Sequence, residues 1–113
     1  MTTHSLFPTL VYAARLQRAR WRPLNSQLLR ECCQLRADDV AGRRWSARNY
    51  PGGYTSYNSV SRMHRVSPTF AVLERRLQRH VNAFVRALEF DLSGRKLAMT
   101  DCWVNVMPRQ AVH

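Results

Sequence analysis

Leu97-Ala-Met-Thr-Asp-Cys-Trp-Val-Asn-Val-Met-Pro108 is the stretch on which the fold reading turns. Trp103, Asn105 and Met107 point to one face and Cys102, Val104 and Val106 to the other, the period-2 pattern of a strand whose sheet has two different environments. Such a strand needs a partner, and only Arg109 to His113 follow it. The expectation is a chain cut at the threshold of a β-domain.

Working back from that strand, Ser67-Pro68 marks a helix start, with serine as N-cap and proline at the first helical position. Phe70, Leu73, Leu77, Val81, Phe84 and Leu88 recur every three or four residues and predict one buried face of a long helix within 67–91. Arg75, Arg76, Arg79 and Arg86 fall largely off that face. Leu24, Leu28, Cys32 and Leu35 predict an earlier helix from about Asn25 to Arg36. Residues 37–66, rich in Asp, Gly, Ser, Asn and Tyr around Pro51-Gly52-Gly53, read as a long loop. Its Tyr50, Tyr54 and Tyr57 either pin the loop to the core or offer hydroxyls to a ligand. Leu6 to Leu16, with Pro8 near its start, reads as an N-terminal edge strand. The fold class is α+β, one incomplete domain over 1–113.

The 113 residues are 45% hydrophobic and carry a net charge of +11, from 18 basic and 7 acidic side chains. That excess attracts polyanions, although arginine-favouring codon usage accounts equally for a set in which Lys96 is the one lysine. Arg15, Arg18, Arg20 and Arg22 surround Trp21, a combination that serves nucleic acid through phosphate contact and stacking. Three cysteines cannot all pair within a chain, and neighbouring Cys32 and Cys33 are too close for an easy disulfide. A reduced, cytoplasmic setting is expected. No apolar run has signal-peptide or membrane-spanning length.

Asp101-Cys-Trp-Val-Asn-Val-Met-Pro-Arg-Gln-Ala-Val-His113 resembles the first strand of the double-stranded β-helix in a family of iron(II)/2-oxoglutarate-dependent oxygenases. Leu6-Phe-Pro-Thr-Leu-Val-Tyr12 is similar to the opening strand of that family. Trp45-Ser46 followed by Tyr50-Pro-Gly-Gly-Tyr-Thr-Ser-Tyr57 is similar to the segment before its long helix. The resemblance implies a jelly roll of which this chain holds the first strand alone, with the metal-binding histidines lying past the position of His113. It also implies that Asn105 faces the cavity as a cofactor-binding residue for 2-oxoglutarate, with Trp103 and Met107 beside it as substrate-binding residues. A buried asparagine satisfying a neighbouring strand is the alternative.

Within the chain itself, no His-x-Asp or His-x-Glu occurs, because His4, His64 and His80 are followed two residues later by Leu6, Val66 and Asn82. Three ligands of a facial triad therefore cannot be drawn from local motifs. No residue is assigned a catalytic role or metal ligation. Iron(II) and 2-oxoglutarate belong to a full-length relative, and the fragment is expected to be inactive alone. Two other classes remain: a small arginine-rich nucleic-acid-binding module, and a protein whose strand is completed by a partner chain.

Overall fold

The computed structural model describes residues 9–109. In chain order they form α1 (Trp21–Asp38), α2 (Val40–Asn49), β1 (Tyr54–Thr55), α3 (Met63–Val66), α4 (Pro68–Ala87) and β2 (Asn105–Val106). Helices beside a small antiparallel sheet make the architecture mixed, as an α+β chain requires.

Helix α1 extends past the Asn25–Arg36 expectation at both ends, with Pro23 in its first turn, where a missing N–H breaks no helical bond. Its Leu28, Cys32 and Leu35 pack against the core. Asp39 then joins two helices by itself. Its N–H donates to the Leu35 carbonyl at 2.8 Å, and its Oδ1 accepts from the N–H of Gly42 at 3.0 Å, capping α2. Gly42 is needed there, since a Cβ would lie 1.9 Å from Asp39 Oδ2.

The long loop expected over 37–66 is therefore wrong. It contains α2, β1 and α3. Helix α2 lacks an apolar stripe, yet Ala41, Arg43, Arg44, Ala47 and Arg48 favour helix and a carboxylate cap starts it. The chain turns after α2 through Gly52, whose φ of 85° is open to glycine without strain.

Ser67 caps α4 by accepting from the N–H of Phe70 at 3.3 Å, and the same hydroxyl donates to Glu31 Oε1 of α1 at 2.5 Å. One serine thus starts a helix and ties it to another. The helix stops at Ala87, short of residue 91, and Glu89 adopts a φ of 57° just beyond it.

Two further expectations are corrected. Residues 9–16 form no strand; instead the Tyr12 hydroxyl reaches His80 Nδ1 of α4 at 2.8 Å. Residues 6–8 of that expected strand lie outside the described residues. The strand expected over 97–108 shrinks to Asn105–Val106, plus an isolated parallel bridge between Arg62 and Cys102. A β-favouring sequence extends a ladder only as far as partner backbone is present.

The described core is small. Tyr54, Met63, Phe70 and Val104 are its buried apolar residues, beside buried Ser46, Thr55, Ser56, His64 and Ser67. Leu73, Leu77, Val81, Phe84 and Leu88 of α4 are only half-buried, so the expected buried face is complete at Phe70 alone. The radius of gyration, 17.9 Å, compares with about 13 Å for a compact chain of about 100 residues. The elements are spread out rather than wrapped around one centre.

Candidate functional site

Strand β2 lies antiparallel to β1, with Tyr54 opposite Val106 and Thr55 opposite Asn105. Ser56 extends this register by one pair. Its N–H donates to the Val104 carbonyl at 2.8 Å, but its own carbonyl is taken by the turn, accepting from the N–H groups of Ser59 and Val60. The Ser56 hydroxyl substitutes for it, accepting from the N–H of Val104 at 2.9 Å and donating to the Val60 carbonyl at 2.8 Å. After that turn the chain returns to the same strand. The N–H of Met63 donates to the Cys102 carbonyl and the N–H of Cys102 to the Ser61 carbonyl, each at 2.8 Å.

Backbone groups in an antiparallel pair alternate between facing the partner and facing away. With Cys102, Val104 and Val106 directed inward, the backbone groups of Trp103 and Asn105 point away from β1. The two outer edges of this sheet then differ. On β1 the outward N–H of Thr55 donates to Ser46 Oγ at 3.0 Å, and that hydroxyl donates back to the Thr55 carbonyl at 3.2 Å. A buried serine of α2 closes that edge. On β2 no backbone partner meets the outward edge at Asn105 among the described residues, and Asn105 itself is exposed.

The side chains alternate as well. Val104 is 4% exposed, whereas Trp103 and Met107 are 43% and 46% exposed on the other face, beside exposed Asn105. The three site residues expected from the sequence thus share one uncovered face. Trp103 stands edge-on to Tyr57, ring centres 5.1 Å apart and planes at 76°, and Tyr57 in turn contacts Trp45 at 6.0 Å. A cleft of about 300 Å³ beside them is lined by Tyr57, Asn58, Ser61, Asp101 and Trp103. Of the loop tyrosines, Tyr54 joins the core and Tyr57 this aromatic group.

Behind the strand sits a carboxylate that sequence reasoning missed. Asp39 accepts from the Tyr54 hydroxyl at 2.7 Å and from the Ser59 hydroxyl, besides capping α2. Burial works to raise its pKa, but hydrogen bonds from Ser59, Tyr54 and Gly42, together with the charge of Arg43, leave it below the ordinary aspartate value. The same contact acts in reverse on Tyr54, where burial first and the Asp39 bond second push the phenol upward. Arg43 also donates to the carbonyls of Arg36 and Ala37, tying α2 to the end of α1. These roles are structural.

The thiols of Cys32 and Cys102 are raised above the ordinary cysteine value, chiefly by burial, which keeps them protonated and weakly nucleophilic. His64 is buried, with neither ring nitrogen hydrogen-bonded among the described residues. No group of three His, Cys, Asp or Glu side chains comes together among them in a way that could hold a metal ion. No described helix is long and apolar enough to cross a membrane. No family model matches the chain, and no curated protein matches it.

Proposed function

We propose that this chain is the N-terminal segment of an iron(II)/2-oxoglutarate-dependent oxygenase, inactive alone, whose β2 is the first strand of a double-stranded β-helix. The observation that supports this reading is the inequality of the sheet's edges. Ser46 closes the β1 side, and among the described residues the side left for extension is the one beyond Asn105. A jelly roll that begins at β2 needs that direction of growth. The resemblance of 101–113 to such a first strand supplies the family.

In this reading Asn105 lies on the cavity wall, where its amide hydrogen-bonds 2-oxoglutarate or the substrate, and Trp103 and Met107 border the substrate. The described residues do not fit an iron site, so the ligands come from further strands and no chemical step is assigned to this chain. Its own part is to present a preformed wall, with Val104 anchored in the core behind it.

The test joins the chain to the polypeptide encoded downstream of the His113 codon and measures 2-oxoglutarate-dependent succinate formation. Turnover is expected in the joined protein and none in the chain alone. Asn105→Ala in the joined protein should raise KM for 2-oxoglutarate or substrate by about tenfold, the worth of roughly one hydrogen bond at 1.4 kcal/mol. A downstream sequence without a histidine-rich segment and further strands overturns the reading.

A further inference from the structure

We propose that the cleft between residues 15–17 and the start of α1 binds single-stranded nucleic acid, with a base against Trp21 and phosphates on Arg15, Arg18, Arg20 and Arg22. This site is separate from the β2 face and stands whether or not the oxygenase reading does.

Charge selects the ligand class. The first acidic residue in the chain is Glu31, so residues 9–30 hold five arginines and no carboxylate. Arg30 has the neighbouring Glu31 carboxylate, but Arg15, Arg18, Arg20 and Arg22 lie in a stretch without one, and a chain of phosphates would balance them. The start of α1 adds to it, because its N-cap, Arg20, makes no side-chain cap and no acidic residue lies in the first turn. Those terminal N–H groups favour an anion.

Shape and side-chain chemistry then narrow the class to nucleic acid with unpaired bases. The cleft measures about 350 Å³ and is lined by Arg15, Leu16, Gln17, Trp21, Leu24 and Asn25. Trp21 is 44% exposed at the first position of its helix, and the guanidinium of Arg22 sits 4.7 Å from its ring centre. An indole backed by a cation is a stacking platform that tolerates any base. Gln17 gives the cleft a hydrogen-bonding function as well. Its Nε2 donates to the Ala19 carbonyl at 2.8 Å, while its Oε1 is buried with no partner among the described residues. A buried acceptor left unsatisfied is costly, and a turn of this side chain toward the cleft would offer it to the exocyclic amine or ring N–H of a base.

The cleft wall is held in place. The Leu16 carbonyl accepts from Arg79 Nη2 at 2.6 Å and lies 3.1 Å from His80 Nε2. A carbonyl only accepts, so Nε2 carries a proton and donates to it, and in the neutral ring Nδ1 then accepts from the Tyr12 hydroxyl. The ring of Tyr12 also lies against Phe84, centres 5.8 Å apart. Helix α4 thereby fixes the segment ahead of α1 without using Arg15, Arg18 or Trp21.

The experiment is fluorescence anisotropy of the full chain with a fluorescein-labelled oligo(dT) 12-mer, the matching duplex, and phosphatidylserine vesicles as competitor, across a salt series. Expected results are tighter binding of the single strand than of the duplex, and affinity that falls linearly with log salt. Trp21→Ala should weaken binding roughly 5- to 150-fold, the range for one stacked base, with the salt slope unchanged. Trp21→Phe, which keeps a ring and controls for folding, should restore most of the loss. Arg15→Gln and Arg18→Gln should each lower the slope by about 0.7, whereas Arg65→Gln, on α3, should not. Equal affinity for duplex and single strand, an unchanged Trp21→Ala variant, or preference for the vesicles would each overturn the proposal.

Discussion

Around Val104 the inward backbone groups meet a serine hydroxyl or a neighbouring main chain, within a few residues that are almost wholly buried. Between residues 9 and 20 the described contacts with the rest of the molecule run instead through the Leu16 carbonyl and the Tyr12 ring, and most side chains face solvent. The first region holds its shape by hydrogen-bond satisfaction in a small core, because four buried apolar side chains alone provide little burial. The second is held by a few surface contacts among the described residues. Stability is thus lodged in one part of this short chain and the proposed recognition surface in another.

The contrast is broken most directly at Ser56. Ser56→Ala removes the acceptor for the Val104 N–H and the donor to the Val60 carbonyl, each loss worth roughly 1–3 kcal/mol when buried. Urea unfolding should show the variant destabilised by about 2–6 kcal/mol, enough to unfold much of the population of a marginal domain.

A pH series sharpens the comparison without mutation. Asp39 and Glu31 both sit below their ordinary values of 3.8 and 4.5 when folded. In each, burial opposes the shift and hydrogen bonds outweigh it, led by Ser59 for Asp39 and by Ser67 for Glu31. Their contribution is present above those ordinary values and is lost as pH falls through the folded ones. Tyr54 is shifted upward, so its contribution is complete below its ordinary value of 10.0 and is lost as pH rises toward the folded one. Thermal melts should fall off below about pH 4.5 and above about pH 10, and Asp39→Asn should flatten both limbs. Tyr12→Phe should have the smallest effect, about 0.5 kcal/mol or less for a solvent-exposed bond. Its signature is faster amide exchange in residues 12–16 with little change around Val104.

Helix α4 was legible because its signals agree: Ser67-Pro68 at the start and an apolar residue every three or four positions thereafter. The alternation of Trp103, Val104, Asn105 and Val106 was legible for the same reason, since period 2 fixes which side chains share a face. Helix α2 was hidden, having no stripe to reveal it. It is placed by Asp39 and by Ser46, whose contact with Thr55 joins residues of two different elements and leaves no local pattern. Leu10, Val11 and Tyr12 look like a strand by composition, but a ladder needs a second backbone and α4 offers only side chains. The length of β2 was overestimated on the same ground. Ser56 was missed because a serine in a turn gives no sign that its hydroxyl will act as a main-chain acceptor.

The pairing of Tyr54 with Val106 has a consequence for when this protein takes shape. Between those residues lie α3 and α4 in full, so closing the ladder means closing a long loop, and loop closure is paid for in chain entropy before any contact rewards it. Helices α1, α2 and α4 need only local bonds and can form as the chain leaves the ribosome. The junction around Val104 cannot, since its last strand is made last. Until residues 102–106 emerge, the Ser56 hydroxyl lacks the Val104 N–H that it accepts from and Tyr54 has no strand beside it. The nascent protein then holds α1 and α4 with their apolar sides uncovered by the strand.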